Sequence, residues 1–391
     1  MMTFAGPDFH INKKNCVSLQ DALDYSVESG IPGVSAAVGI EGEIVWQGTA
    51  GYSDILRQVP VKTKNCFGIG SITKTFVAQT ALQLVQERTL DLESYVCDCL
   101  DASILDGIAN TDTAVIRQLL NHQSGIPDWE VQPDWIRKAR GVDIDPGRKW
   151  AKAESLEYVR GLPADFEPGK CYVYSNTNYT LLGLVIESVT GNDLTHEIRQ
   201  RLLIPLNMKN TGFESFEKSR DSLVHHYHIA VKGYYEAAGK NPALPEVRNN
   251  LIETSSANLS AEWAAGGMVS SPQDLMRWAS AVRSGELLLP EIRPKVFEYT
   301  EPREGSKAEE KYMMGVLRIP GYFHGCGVTG HGGATLGFTA RMYWLEPYGV
   351  TVVLLTNLGE IHAGISPSPT GVFYKEILLP SVFKTLNIRT V

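Results

Sequence analysis

Strand patterns stand at the two ends of this chain, and helical patterns fill its middle. Residues 34–40 and 43–48 flank a Glu-Gly turn, and residues 337–345 and 350–356 flank a turn that contains Pro347. Each pair predicts an antiparallel hairpin. From about residue 90 to residue 255 the apolar spacing is mainly helical. The sequence therefore predicts an α/β (α+β) fold, in which an antiparallel sheet is built from both chain ends, is flanked by helices and receives a mostly helical insertion.

The chain of 391 residues exceeds the usual size of one domain. We expect a discontinuous sheet domain at residues 1–90 and 260–391 and a mostly helical domain at residues 91–259, with the active site between them. Two long polar and aromatic stretches, 127–150 and 222–258, are expected to form loops that face a substrate.

Five helices are predicted from apolar spacing and from signals at their ends. Ser18 and Asp21 have the spacing of a capping box at the start of the first helix. Pro380 is expected to interrupt or kink the last one. The predicted helices cover residues 18–30, 71–88, 116–122, 180–190 and 371–386.

Composition limits the partners of the chain. The net charge is −8 and the isoelectric point is near 5.7, which argues against nucleic acid because that partner requires a concentrated basic surface. No stretch approaches the roughly 20 apolar residues of a membrane span, and residues 1–16 lack the pattern of a secretory signal. We therefore expect a cytoplasmic protein with reduced cysteines, with no metal and no other cofactor, and with a small molecule or short peptide as substrate. The oligomeric state is left open.

Ser71 and Lys74 lie three residues apart, between Gly68-Ile69-Gly70 and an apolar run. If a helix begins at Ser71, the hydroxyl and the amine lie one turn apart on the same face. Serine needs a base within hydrogen-bond reach to act as a nucleophile, and a helix N-terminus adds unpaired N–H groups beside the reacting oxygen. The pair therefore predicts a nucleophile and its base, although the same residues also suit an ordinary helix start.

The S-x-x-K pattern alone is weak, because the chain repeats it at residues 215–218 and 381–384. A Y-x-N motif, Tyr174 and Asn176, follows Ser71 after about 100 residues. A tyrosine can relay a proton, and an asparagine can orient a lysine and a substrate amide at once. An H-x-G motif, His331-Gly332-Gly333, then opens a predicted strand, where glycines allow a ligand to approach the backbone.

Taken together, these motifs resemble those of the serine β-lactamase and penicillin-binding-protein superfamily. The order is most similar to the branch of class C β-lactamases, D-aminopeptidases, D-amino acid amidases and related esterases. Residues 119–127 (LLNHQSGIP), 205–208 (PLNM) and 265–272 (AGGMVSSP) are similar to that branch as well. The resemblance extends from about residue 20 to about residue 385, and it implies a β-lactamase/transpeptidase-like fold and an acyl-enzyme mechanism.

The resemblance also implies a role for each motif residue. Ser71 would attack a carbonyl, and Lys74 and Tyr174 would share the role of general base, with the first proton acceptor left open. Asn176 would hold Lys74 and the substrate amide, and His331 would line the opposite wall.

The oxyanion hole would consist of the backbone N–H groups of Ser71 and Ala334. The substrate would be bound by residues of the motifs and of the first aromatic stretch: Asn121, Gly332, Gly333, Trp129 and Trp135.

One departure from the pattern narrows the function. Where β-lactamases and many penicillin-binding proteins have Lys-Thr-Gly, this chain has His331-Gly332-Gly333. An imidazole is mostly neutral near pH 7, so the attraction for the carboxylate of a penicillin is weakened. We therefore predict a serine hydrolase of amides, peptides or esters, such as D-amino acid amides, short D-peptides or small acyl esters.

Three alternatives stay open from the sequence. An acyltransferase with the same residues would pass the acyl group to an alcohol or amine in place of water. The chain could also be a β-lactamase, or a catalytically inactive penicillin-binding sensor that reuses the fold.

Overall fold

The structure is a computed structural model. It describes residues 9, 11–12, 14–217, 222–298, 300, 310–346 and 348–388. Much of the N-terminal stretch used to argue against a secretory signal lies outside these residues, as do Lys218 of one S-x-x-K match and Pro347 of the predicted turn.

The strands of the described chain are short in its middle and long near its ends. They are β1 (Gly33–Ile40), β2 (Glu43–Asp54), β3 (Val59–Pro60), β4 (Phe67–Gly68), β5 (Gly212–Phe213), β6 (Tyr227–Ile229), β7 (Glu246–Arg248), β8 (Leu251–Glu253), β9 (Met268–Ser270), β10 (Lys311–Tyr312), β11 (Leu317–Gly321), β12 (Gly325–Thr335), β13 (Phe338–Leu345), β14 (Val350–Thr356) and β15 (Leu358–Gly359).

The longest helices lie before, within and after the predicted insertion. The α-helices are α1 (Leu19–Glu28), α2 (Thr73–Gln86), α3 (Val96–Cys99), α4 (Ala102–Leu105), α5 (Ile116–Leu120), α6 (Pro133–Arg140), α7 (Asn176–Thr190), α8 (Leu194–Ile198), α9 (Lys232–Ala238), α10 (Trp263–Gly266), α11 (Pro272–Ser284), α12 (Arg293–Val296), α13 (Pro369–Val372) and α14 (Leu379–Thr385). Gly70–Ile72, Trp129–Val131 and Glu154–Tyr158 are 3₁₀ turns, and Arg199–Leu203 and Phe373–Leu378 are π-helical.

The main sheet joins the two ends of the chain. Eight strands pair in the order β10-β11-β12-β13-β14-β1-β2-β3. At its centre β1 runs antiparallel to β14, with Val34 opposite Thr356 and Ile40 opposite Val350. The predicted fold class, an antiparallel sheet flanked by helices and built from both chain ends, is confirmed.

Helices cover both faces of this sheet, which explains why its central strands are apolar throughout. All seven residues of β14 are buried. Val352 and Leu354 pack with α1 and the C-terminal helical segment, whereas Val353 and Leu355 pack on the opposite face with α2 and α11. A strand between two covered faces alternates between two cores rather than between core and solvent.

Local signals positioned the first helix and both hairpins. The Ser18 hydroxyl accepts from the Asp21 N–H, and the Asp21 carboxylate accepts from the Ser18 N–H, so the predicted capping box is present. Both hairpins are present, β13–β14 at almost the predicted residues and β1–β2 with a second strand that extends to Asp54, six residues beyond the predicted end. Each of these elements depends on residues close together in the chain.

Three expectations are corrected. The stretch 127–150 is not a continuous loop, because it contains the 3₁₀ turn Trp129–Val131 and α6. The stretch 222–258 is not a long loop, because β6, β7 and β8 form a small sheet with β15 and enclose α9. Pro380 does not break the last helix. The π-helical segment Phe373–Leu378 precedes α14, in whose first turn Pro380 lies, where a missing N–H is tolerated.

The division at residues 90 and 260 into two domains stays a prediction. No helix among the described residues combines the length and the apolar character that a membrane crossing needs.

Candidate active site

Ser71 lies in a tight turn that is fixed by a neighbouring strand. The 3₁₀ turn Gly70–Ile72 leads into α2, so the helix follows Ser71 rather than beginning at it. Gly70 has φ +49°, and a Cβ at this position would lie 2.6 Å from the Ala334 nitrogen of β12. The turn therefore requires glycine, and it leaves Ser71 partly exposed while Ile72 and Thr73 are buried.

Lys74 has three hydrogen-bond partners around its Nζ atom. The Ser71 Oγ lies at 3.1 Å, the Asn176 Oδ1 at 2.7 Å and the Ala265 carbonyl oxygen at 2.7 Å. A neutral amine has two N–H bonds and one lone pair, and two of these partners are carbonyl oxygens that can only accept. With both N–H bonds donated to the carbonyls, the lone pair faces the Ser71 hydroxyl.

The surroundings of Lys74 favour that neutral form. The side chain is fully buried, and burial lowers the pKa of Lys74 to about 7, against the opposing charges of Glu130 and Asp128. Burial disfavours the charged form of an amine. The Lys74 amine is therefore able to act as a base near neutral pH.

Asn176, the first residue of α7, connects Lys74 to two acidic side chains. Its Nδ2 donates to Asp128 Oδ2 at 3.2 Å and to Glu130 Oε2 at 3.0 Å. Burial, together with the charge of Glu130, raises the pKa of Asp128. The predicted contact between Asn176 and Lys74 is present, and the two carboxyl groups are an addition to it.

A buried arginine holds the far side of this network. The Arg140 side chain is 0% exposed, and its Nη2 donates to Glu130 Oε1 at 2.6 Å and to Glu262 Oε1 at 3.2 Å. Burial raises the pKa of Glu262 to about 7, with Arg140 acting against it. The Glu130 carboxylate is thereby fixed between Arg140 and Asn176.

Tyr174 stands beside the Ser71–Lys74 pair. Lys74 Nζ lies 4.9 Å from the centroid of the Tyr174 ring, and the ring of the buried His122 packs on Tyr174 at 4.3 Å between centroids. The Tyr174 hydroxyl oxygen is buried and has no hydrogen bond of normal geometry. Burial raises the pKa of Tyr174 well above its usual value, although the nearby Ser71 side chain partly offsets this. Tyr174 is thus a neutral phenol that can carry a proton.

Strand β12 brings a second backbone N–H to Ser71. Gly333 faces the Ser71 turn so closely that a Cβ on it would lie 1.9 Å from the Ile69 carbonyl oxygen and 3.0 Å from the Ser71 nitrogen. The next residue, Ala334, is partly exposed. The amides of Ser71 and Ala334 are therefore neighbours at the mouth of the site, as two donors to one oxyanion must be.

His331 is buried and fully bonded. Its Nδ1 lies 2.5 Å from the Gly332 carbonyl oxygen, and its Nε2 lies 3.1 Å from the Tyr312 hydroxyl. Because a carbonyl can only accept, Nδ1 carries the proton and Nε2 accepts from Tyr312. Burial lowers the pKa of His331 to about 3. His331 is therefore a neutral part of the wall and has no ring nitrogen free for proton transfer.

The structure shows where four of the predicted substrate contacts lie, and their role stays a prediction. Trp129 and Trp135 are each 0% exposed, and their indole N–H groups donate to Thr180 and Ser155, so neither offers surface to a substrate. Asn121 is buried and bonded to Gln123.

Gly332 points to the other face of the sheet. A Cβ on it would meet the Tyr343 hydroxyl at 2.9 Å, and Tyr343 belongs to the core that contains α1. Of the predicted glycines, Gly333 is the one that faces Ser71, because neighbouring residues of a strand point to opposite faces.

Sequence reasoning missed Asp128, Glu130, Arg140 and the carbonyl of Ala265. A signal was available for the first two, because Asp128-Trp129-Glu130 directly follows the segment LLNHQSGIP and places two carboxyl groups around one large apolar residue. The two carboxyl groups contact Asn176, while the tryptophan between them enters the core. Among the described residues, no group of three or more His, Cys, Asp or Glu side chains is placed to hold a metal ion.

Known proteins resemble this chain in sequence and in fold. A sequence profile of the family described as Beta-lactamase matches residues 19–363. Protein flp of Staphylococcus aureus (strain MW2) is 30% identical over 258 residues, which cover 66% of this chain and 46% of that protein. The chain thus spans less than half the length of this curated relative.

Two solved structures share most of the fold. A D-stereospecific amidohydrolase from Streptomyces sp. has a TM-score of 0.72 and 27% identity, covering 87% of this chain and 94% of its own. A D-amino acid amidase from Ochrobactrum anthropi SV3, complexed with D-phenylalanine, has a TM-score of 0.77 and 26% identity, covering 94% and 97%. The β-lactamase/transpeptidase-like fold expected from the resemblance is confirmed.

Proposed function

The chain belongs to the beta-lactamase family, and we propose that it is a serine hydrolase that cleaves an amide, peptide or ester bond through an acyl intermediate on Ser71. The observation that carries the proposal is the set of partners around Lys74 Nζ. Nζ donates to two carbonyl oxygens at 2.7 Å and lies 3.1 Å from the Ser71 Oγ. In the neutral amine, with both N–H bonds given to the carbonyls, the lone pair is the group left to face Ser71.

These contacts support Lys74 as the first proton acceptor. The pKa of Lys74 is lowered by burial, whereas burial raises the pKa of Tyr174 well above its usual value. Near pH 7 a free amine is a better base than a neutral phenol. Tyr174 is then placed to pass the proton from Lys74 to the leaving group.

The reaction has two balanced halves. Ser71 Oγ gives its proton to Lys74 and forms a bond to the substrate carbonyl carbon, while the amides of Ser71 and Ala334 bind the oxyanion. The C–N or C–O bond then breaks, and the leaving amine or alcohol takes the proton. In the second half water loses a proton to the same base, adds to the acyl carbon and releases Ser71 and a carboxylic acid.

The wall of the site supports substrates without a carboxylate beside the scissile bond. His331 is neutral, and Asp128 and Glu130 place acidic groups around Asn176. His331 therefore offers no cation to a substrate carboxylate, and the acidic groups around Asn176 disfavour one. The D-stereospecific amidohydrolase and D-amino acid amidase structures add support for amides of D-amino acids as the substrate class.

Covalent labelling tests the nucleophile. A fluorophosphonate probe is expected to add one adduct to the wild-type protein by intact mass and none to Ser71→Ala. Ser381→Ala is a matched control, because Ser381 belongs to another S-x-x-K match and its hydroxyl is bonded within the C-terminal helix at 2.8 Å; it should label like wild type. A wild-type protein without adduct would contradict the proposal.

A substrate panel tests the bond that is cleaved. Amides of D- and L-amino acids, small acyl esters and a penicillin are compared with wild type and Ser71→Ala. We expect at least one neutral amide or ester to be turned over with a kcat/KM well above that for penicillin, and Ser71→Ala to lose at least about a thousandfold. Efficient penicillin hydrolysis would show that the substrate class is wrong.

A further inference from the structure

Two carboxyl groups fix the direction of the Asn176 amide. Its Nδ2 donates to Asp128 Oδ2 at 3.2 Å and to Glu130 Oε2 at 3.0 Å, and its Oδ1 accepts from Lys74 Nζ at 2.7 Å. Carboxylate oxygens only accept. A flipped amide would place its oxygen against them and its N–H groups against Nζ, so the carboxyl groups force the oxygen toward Lys74.

Both carboxyl groups are themselves held in place. The second oxygen of Asp128, Oδ1, accepts from the backbone N–H of Asn176 at 3.0 Å. The second oxygen of Glu130 accepts from Arg140, which is fully buried. Neither carboxyl group can leave the amide without breaking a second bond, and the arrangement is rigid before a substrate arrives.

The same two groups are the acidic neighbours of Lys74. The titratable side chains that face Lys74 comprise two carboxyls, two imidazoles and two phenols: Asp128, Glu130, His122, His331, Tyr174 and Tyr179. Burial keeps the imidazoles and phenols neutral. The charge that stabilises the ammonium form of Lys74 therefore comes first from Glu130 and, in its ionised form, from Asp128, whose own pKa burial raises to about 7.

We propose that Asp128 and Glu130 are positioning residues for Lys74, which act through Asn176 to direct its lone pair at Ser71 and to set the pH at which it becomes a free base. The inference rests on the proposed function, in which Lys74 is the base for Ser71. It deepens that function by adding two residues that touch neither the nucleophile nor the oxyanion.

Asp128→Asn removes both effects of the carboxyl group. The variant loses the charge that Asp128 carries when ionised, and its amide can offer only one acceptor oxygen to the two N–H donors of Asn176. Loss of an opposite charge disfavours the ammonium. We expect the titration midpoint of Lys74 to fall by about one pH unit and the labelling rate of Ser71 on the alkaline plateau to fall about tenfold or more. Glu130→Gln should shift the midpoint in the same direction.

The midpoint is measured without any turnover. Protein labelled with ¹³Cε-lysine is titrated by NMR, and the Lys74 signal is assigned by its absence from Lys74→Arg. Asp134→Asn is the matched control, because Asp134 is an exposed carboxylate in the first turn of α6, and its Lys74 midpoint should equal that of wild type. Equal midpoints in Asp128→Asn and Asp134→Asn would overturn the inference.

A second variant and a second readout keep the test valid if Asp128→Asn does not fold. Asp128→Glu retains the charge but displaces it by one methylene, so the Lys74 midpoint should stay near that of wild type while fluorophosphonate labelling of Ser71 slows about tenfold or more. Labelling as fast as in wild type would overturn the positioning role.

Failure of the proposed function gives a different result. If wild-type Ser71 is not labelled at all but the titration midpoint of Lys74 still falls in Glu130→Gln, the proposed function is wrong, whereas the effect of the carboxyl groups on Lys74 stands.

Discussion

At the scale of single residues, the proposed chemistry depends on what surrounds the amine of Lys74. Lys74 follows Ser71 by one helical turn, but the turn alone does not make it a base. Burial removes the water that would stabilise an ammonium, and the carbonyls of Asn176 and Ala265 direct its lone pair. The first of these effects is electrostatic and the second is geometric.

The lowered pKa of Lys74 predicts a pH profile. The value is about 7, so the amine is charged and inactive below it and free above it, and the rate of Ser71 acylation should rise through about pH 7 and then level off. Measurement of labelling by fluorophosphonate between pH 5 and 9 gives this profile. Lys74→Arg, which stays charged throughout, should lose the rise and at least about a hundredfold in rate. An unchanged profile in that variant would assign the base elsewhere.

Single residues also show why sequence reasoning erred. Tryptophans in a long loop suggest a substrate wall, but Trp129 and Trp135 fill the core, and the carboxyl groups beside Trp129 reach the cleft. Which side chain turns inward depends on the path of the loop. That path is set by contacts with α7, which lies about 50 residues further along the chain.

At the scale of elements, the site depends on the approach of β12 to the Ser71 turn. Gly70 and Gly333 allow the backbone of the Ser71 turn and that of β12 to approach each other closely. The H-x-G motif was predicted to open the strand that contains Phe338, and this prediction is wrong, because the motif lies near the end of β12 and Phe338 begins the next strand, β13. The structure shows that Gly333 permits β12 to lie close to the Ser71 turn. It also shows that His331 forms part of the wall of the site.

Gly333→Ala tests this contact. Its Cβ would lie 1.9 Å from the Ile69 carbonyl oxygen, so β12 must move away from Ser71. We expect kcat for the best ester or amide substrate to fall about a hundredfold or more, because one oxyanion donor is displaced. Gly327→Ala on the same strand is the control, since its nearest atom would lie at 3.4 Å. Equal losses in both variants would indicate a general effect on β12 rather than on the oxyanion site.

Elements with local signals were predicted well, and elements with distant partners were not. The capping box of α1 and the turns of the two main-sheet hairpins each depend on a few neighbouring residues, so the sequence alone indicates them. Strand β6 has three residues, and its partners β8 and β15 lie about 25 and 130 residues away. Such a short strand carries no periodic pattern of its own, so only its pairing identifies it.

At the scale of the whole molecule, one sheet with helices on both faces buries many ionisable groups. Burial raises the pKa of a set of tyrosines: Tyr172, Tyr174, Tyr179, Tyr312, Tyr343 and Tyr374. Above pH 10 the unfolded chain releases their protons and the folded protein keeps them. The free energy of unfolding must therefore fall as pH rises above 10.

Urea unfolding at pH 8 and at pH 10.5 to 11 measures the loss in the free energy of unfolding. Each buried tyrosine should contribute about 1 kcal/mol per pH unit above 10, so we expect a total loss of a few kcal/mol. Tyr374→Phe is an informative comparison, because the Tyr374 hydroxyl is buried without a hydrogen bond. The variant should be as stable as wild type at pH 8 and lose less stability at high pH. An equal alkaline loss in both proteins would exclude Tyr374 as a contributor.

The sequence by itself determined the fold class, the family and the motif residues Ser71, Lys74, Tyr174, Asn176 and His331. Each of these follows from the spacing of nearby residues or from the order of the motifs. Spacing and order can both be read from the linear sequence. Only the tertiary structure decided that Asp128 and Glu130 flank Asn176, that the tryptophans are core and that His331 is a neutral wall residue. Those outcomes depend on burial and on distances between segments far apart in the chain, which set charge and hydrogen bonding and which no local pattern records.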